Sequence, residues 1–228
     1  MTNSFMFVSD EDRQVALREG IAADASKAAT IYNGVDLDAY PPKGSCLRDA
    51  AELRSKLQIP PASPVVGIVG RVVREKGYIE FAEMAKSVSA GRSDVSPQTL
   101  LAGVARRCRY VALHVPITEN CGGCLEPLLT GVPTIAGNVG GLPELVIDGV
   151  TGRTVAVRQR DELVHAILDV VSNPAYYRTL AENGRQLVRT MFDVVRTSAE
   201  VHQVYEHILG RGPRPTPFNP QHTATALL

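Results

Sequence analysis

The sequence has no surplus of charge of either sign, because 24 Lys and Arg balance 24 Asp and Glu over 228 residues. Without a global field, an anion has to be held by locally placed basic groups, and no nucleic-acid partner is expected. Long apolar runs are also lacking. No window approaches the roughly 18 apolar residues of a membrane span, and the start, MTNSFMFVSDEDR, lacks the basic flank and long apolar stretch of a leader. No membrane span is expected, and the reading is a soluble, cytoplasmic chain. Cysteine is scarce. Four residues, Cys46, Cys108, Cys121 and Cys124, are too few for a disulfide scaffold at this length. Only Cys121 and Cys124 form a C-x-x-C, and no second C-x-x-C or H-x-x-x-H completes a zinc set, so no metal site is expected. The dinucleotide fingerprint G-x-G-x-x-G is missing as well, since after Gly67 and Gly70 the next glycine is Gly77.

What is present is an alternation of strand and helix signals. Residues 5–8 read as a short strand, and Ser9-Asp10-Glu11-Asp12 opens a helix to about Arg18 in the manner of a capping box. Residues 28–32 form a second strand closed by the turn signal Asn33-Gly34. After the linker YPPKGS comes a charged helix over 47–57, and then the near-continuous apolar run 65–69, which reads as a strand covered on both faces. A helix over 78–89 follows. The stripe Leu100, Leu101, Val104, Ala105 and Cys108 predicts a further helix over 97–107, in which Cys108 packs. Strands over 110–115 and 134–136, a helix ending near Leu129 and three later helices complete the pattern. The middle helix of those three carries Tyr177, Leu180, Ala181, Gly184, Leu187, Val188 and Met191 in register. From Gly210 the tail is proline-rich and polar and reads as disordered. The fold class is therefore α/β with a parallel sheet flanked by helices. Joining helix directly to helix across 89–97 leaves the run 65–69 as the edge of that sheet.

In a parallel sheet, ligands sit beyond the carboxyl ends of the strands, which directs attention to three loops. GRVVREKG sets Arg71, Arg74 and Lys76 between Gly70 and Gly77, a composition suited to a diphosphate, or else to a solvated charged loop. ENCGGCLE places the bare amides of Gly122 and Gly123 before a helix, where they can face an anion, between the carboxylates of Glu119 and Glu126, which suit hydroxyls. Its Cys121 and Cys124 leave a thiol redox site as the competing chemistry. GNVGGLPELVIDGVTG adds Gly140, Gly141 and Glu144, whose carboxylate could accept from a ligand hydroxyl or cap the amides of its own turn.

Taken in order, IYNGVD, GRVVREKG, ENCGGCLEPLLTGVPTIAG and NVGGLPELVIDGVTG resemble the retaining glycosyltransferases of family 4, which have the GT-B fold, across most of the chain from about Phe5 to Leu209. The resemblance is to the second, nucleotide-sugar-binding domain (residues 43–209), preceded in 1–42 by the last strand and helix of the acceptor domain, and it implies a Rossmann-like sheet, here with a reduced number of strands. It implies that Arg71 and Lys76 hold the donor diphosphate, that Glu119 binds the sugar and Glu126 the ribose, and that Gly70, Gly122, Gly123, Gly140, Gly141 and Glu144 complete the donor site. Six residues separate Glu119 from Glu126 where the family commonly has seven. A hexose would pass with retention from a UDP- or GDP-type donor to an unknown acceptor, without a metal or cofactor. The acceptor domain would come from a separate chain. A non-catalytic nucleotide-sugar-binding module is the alternative.

Overall fold

The computed structural model describes residues 4–39, 47–60, 63–68, 77–91, 100–102, 112–114, 122–157, 159–214 and 220. The described residues form two parallel sheets. Strands β1 (Phe5–Phe7) and β2 (Ala28–Thr30) pair in the first, joined by helix α1 (Asp10–Arg18). The second has five strands, β3 (Val66–Ile68), β4 (Leu100–Ala102), β5 (Ala112–His114), β6 (Thr134–Gly137) and β7 (Arg153–Val155), in the order β4-β3-β5-β6-β7. Helices α2 (Leu47–Lys56), α3 (Tyr78–Gly91), α4 (Gly122–Leu129), α5 (Leu142–Leu145), α6 (Arg160–Ser172), α7 (Pro174–Met191) and α8 (Val194–Ile208), with a 3-10 turn at Ala25–Lys27, complete the described elements.

Two sequence expectations change here. Residues 100–102 form a strand paired to β3 in register, Val66 with Leu100 and Ile68 with Ala102, where a helix over 97–107 is predicted. A short apolar run such as Leu100-Leu101-Ala102 satisfies either periodicity, and only a neighbouring strand decides between them. It follows that β3 is not an edge, since β4 covers one side of it and β5 the other. Val66, Gly67 and Ile68 are all buried, as a doubly covered strand requires.

The sheet separates two apolar layers. Ile135 of β6 joins Val66, Ile68, Phe81 of α3 and Ile167 of α6 on one side, while its neighbour Ala136 joins Leu125 and Leu128 of α4 and Leu187 of α7 on the other. Successive residues of a strand point to opposite faces, so β6 contributes to both layers. Helix α7 spans the two. Its buried residues are Tyr177, Leu180, Ala181, Gly184, Leu187, Val188 and Met191, the stripe read from the sequence. Gly184 lets α4 come close, because a Cβ there would lie 2.6 Å from Leu128 Cδ2 and 3.0 Å from the Thr151 carbonyl oxygen.

At the other end of the stripe, the Tyr177 hydroxyl donates to Asp169 Oδ2 at 2.6 Å. Burial first, then this bond to the carboxylate, push the phenol's pKa well above its ordinary value near 10. A raised folded pKa means stability that is intact below the unfolded value and is lost as pH rises beyond about 10. Tyr177→Phe is therefore expected to cost about 1 kcal/mol at neutral pH and to flatten the alkaline fall of the melting temperature. A melting series between neutral and alkaline pH checks this, and equal alkaline slopes in the two proteins would contradict it.

The tail is anchored where it begins. Arg214 donates to the carbonyl oxygens of Ala25 and Ala28 at 3.1 and 2.7 Å, tying the end of α8 back to β2. No helix among the described residues is long and apolar enough to cross a membrane.

Candidate functional site

The strand order identifies one position on the carboxyl edge. The chain passes from β3 outward to β4, then returns to lay β5 on the opposite side of β3, with β6 and β7 following in that direction. The order therefore reverses between β3 and β5, and in parallel sheets ligands bind beyond the carboxyl ends of the strands at such a reversal. Residues 69–76 leave β3 after Ile68, and residues 115–121 leave β5 after His114. Gly70, Arg71, Lys76 and Glu119 fall in those two segments and lie outside the described residues. Gly77, with φ of +72°, closes the first segment in the left-handed region that glycine tolerates, and its carbonyl oxygen accepts from Phe81 N at 2.9 Å as α3 begins.

Helix α4 is the next element after β5 in the chain. Gly122 and Gly123 are its first two residues, so their N–H groups have no intrahelical acceptor and lie at the positive end of the dipole. Glu126 follows Gly122 by four positions and Gly123 by three, which puts it on the same face one turn further on. It is half-buried. The opposite face of α4 is fixed by Cys124, Leu125 and Leu128, which are buried in the second apolar layer. Cys124 is fully buried there, a packing position rather than that of an accessible redox group, and Cys121 lies outside the described residues.

The third loop is arranged differently from the sequence expectation. Gly140 has φ of +54°, and Gly141 precedes α5 with an ordinary φ of −77°. Gly141 is glycine because of a close approach, since a Cβ there would lie 2.5 Å from Ser9 Cβ. Glu144 neither projects alone nor caps its own turn with its carboxylate. Its Oε2 accepts from Asp10 N at 3.1 Å and its Oε1 from Glu11 N at 3.0 Å, and the Tyr32 hydroxyl donates to Oε2. Ser9 and Tyr32, both buried, are the residues that site reasoning on the sequence missed. Ser9 is legible as a helix cap, but its packing on Gly141, far along the chain, leaves no local signature.

Among known proteins, residues 109–187 match the family described as Glycosyl transferases group 1. The lipopolysaccharide core biosynthesis mannosyltransferase LpcC of Rhizobium leguminosarum bv. viciae is 30% identical over 152 residues, which cover 63% of this chain and 42% of that protein. A glycosyltransferase from Rickettsia africae superposes with a TM-score of 0.79 at 17% identity, covering 91% of this chain and 64% of the other. Anabaena HepE, solved in complex with UDP, superposes with a TM-score of 0.75 at 22% identity over 91% of this chain and 64% of its own. The chain thus spans less than two thirds of the length of each of these proteins. The fold is that of a GT-B glycosyltransferase domain.

Proposed function

We propose that this chain, whose residues 109–187 match the group 1 glycosyl transferases, is the donor-binding part of a retaining glycosyltransferase. It binds a nucleoside-diphosphate hexose of the UDP or GDP type and passes the hexose to an acceptor hydroxyl. The observation that supports this reading is the reversal of strand order between β3 and β5, with α4 the next helix after β5. Arg71 and Lys76 hold the diphosphate, with Gly70 allowing its close approach. The amides of Gly122 and Gly123 face the sugar and phosphate, Glu119 takes sugar hydroxyls and Glu126 the ribose. Gly140 borders the site from the next loop, and Glu144 acts by holding that loop in place. Acceptor recognition is assigned to residues beyond this domain or to a partner chain. HepE is described with UDP, and LpcC is named a mannosyltransferase, which supports a nucleotide-sugar donor without choosing its base.

In the reaction, the acceptor oxygen bonds to the anomeric carbon on the face from which the diphosphate leaves. The bond from that carbon to phosphate oxygen breaks, and the acceptor's proton goes to a phosphate oxygen of the leaving group. No basic side chain is needed for that transfer. The protein contributes orientation and charge stabilisation, with Arg71 and Lys76 offsetting the negative charge that grows on the diphosphate.

Proton NMR of the anomeric signals tests the stereochemistry, using the chain together with its acceptor domain and an α-linked donor. The first-formed product is expected to be α. A β product would contradict the mechanism.

A further inference from the structure

We propose that Glu144 is a positioning residue, a joint that fixes the amino end of α1 to the loop at the carboxyl end of β6 and so sets the β1–β2 unit against the five-stranded sheet. In its bearing on transfer this rests on the function proposed above. The geometry of the joint is independent of it.

A helix begins with N–H groups that have no intrahelical acceptor. In α1 the first three are all satisfied. Asp12 N donates to Ser9 Oγ at 3.1 Å within the helix's own cap, while Asp10 N and Glu11 N each donate to one oxygen of Glu144, which is 134 and 133 residues distant in sequence. A carboxylate suits this place because it presents two acceptor oxygens to two parallel donors and carries the charge that a helix amino end favours. The third donor, the Tyr32 hydroxyl, also comes from the amino-terminal unit. Tyr32 is itself fixed, buried edge-on against Phe192 with ring centroids 5.6 Å apart.

The placement has a cost that argues for a purpose. Asp10, Glu11 and Asp12 already crowd the first turn of α1 with negative charge, and Glu144 adds a fourth carboxylate. Arg13, paired to Asp10 at 2.7 Å, and Arg18, paired to Glu11 at 3.2 Å, offset part of that repulsion. Ser9 packed on Gly141 provides the second contact of the joint, leaving no room for a methyl group between helix and loop. With both oxygens directed at α1, the Glu144 carboxylate is held away from direct ligand duty. Its effect on the donor site passes through the position of the 137–141 loop.

Amide hydrogen exchange measured residue by residue by NMR tests this. In the wild-type chain, Asp10 N and Glu11 N are expected to be protected, unlike first-turn amides of a helix that face water. Glu144→Ala is expected to speed their exchange by about tenfold or more while amides of β6 and α7 hold. Glu144→Gln, which keeps one acceptor oxygen, should fall between the two. Where the wild-type chain binds UDP or GDP, any loss of affinity in Glu144→Ala is expected only together with the faster exchange at residues 10 and 11, because Glu144 acts on the donor site through the 137–141 loop. If Glu144→Ala does not fold, Tyr32→Phe removes one donor and is expected to speed the same two amides by about threefold. Unchanged exchange at residues 10 and 11 overturns the joint, as does a tenfold loss of nucleotide affinity with exchange unchanged, which would make Glu144 a ligand group. A wild-type chain that binds no nucleotide defeats the donor-site reading while the exchange data still judge the joint.

Discussion

Replacing Gly34 by alanine is expected to destabilise the protein by about 3 kcal/mol, near the upper end of ordinary overpacking costs. The added Cβ would sit 2.5 Å from Val194 N and 2.6 Å from both Asp193 C and Val194 Cα. These are backbone atoms, so no side chain can swing away. Nor can the two segments separate cheaply, because Val35 N donates to the Phe192 carbonyl oxygen at 2.8 Å and Val194 N to the Val35 carbonyl oxygen at 3.0 Å across the same contact. The Thr197 hydroxyl adds a bond to the Tyr32 carbonyl oxygen at 2.9 Å. Opening this clasp would detach the β1–β2 unit from the start of α8. Urea denaturation of the wild type and Gly34→Ala checks the magnitude, and a loss below about 0.5 kcal/mol would mean that the contact is looser than the structure indicates.

The second large effect is functional. An Arg71→Ala, Lys76→Ala double variant is expected to lose about 3 kcal/mol or more of nucleotide affinity, roughly two orders of magnitude in Kd. The estimate follows from two cationic groups whose charge-assisted hydrogen bonds to a diphosphate contribute about 1.5 to 3 kcal/mol each when shielded from water. The loss should appear for UDP and UDP-glucose alike, or for the GDP pair, because the shared diphosphate is what these residues are proposed to hold. The melting temperature without ligand should stay close to that of the wild type. An affinity within about threefold of wild type would remove both residues from the donor site.

Much of this fold could be read from residue patterns, for identifiable reasons. The α7 stripe from Tyr177 to Met191 is long and strictly periodic, so local sequence is sufficient to show its buried face. The α1 start is legible because Ser9 caps Asp12 N three residues on. Strand β4 is misread because Leu100, Leu101 and Ala102 have no pattern of their own and become a strand only by pairing with β3. Strand β7 escapes notice because Arg153 and Thr154 lack the apolar character of an inner strand, β7 lying at the end of the sheet. Asn33-Gly34 reads as a turn signal, yet Gly34 does not need a left-handed φ and is required by the backbone passing against it. Glu144 is the sharpest case in the site. Its chemistry as a hydrogen-bond acceptor is visible in GGLPE, but the identity of its donors depends on α1 being folded onto the loop more than 130 residues later. Patterns reveal what a residue can do, and long-range packing decides what it does.

The central claim is that a nucleoside diphosphate binds where the strand order reverses. Calorimetric titration of the folded chain with UDP, GDP and ADP, and with their hexose conjugates, tests it most directly. The expected result is saturable binding of the UDP or the GDP pair that disappears in the Arg71→Ala, Lys76→Ala variant. Heats no larger than dilution for every nucleotide, from a chain whose melting shows it to be folded, would contradict it.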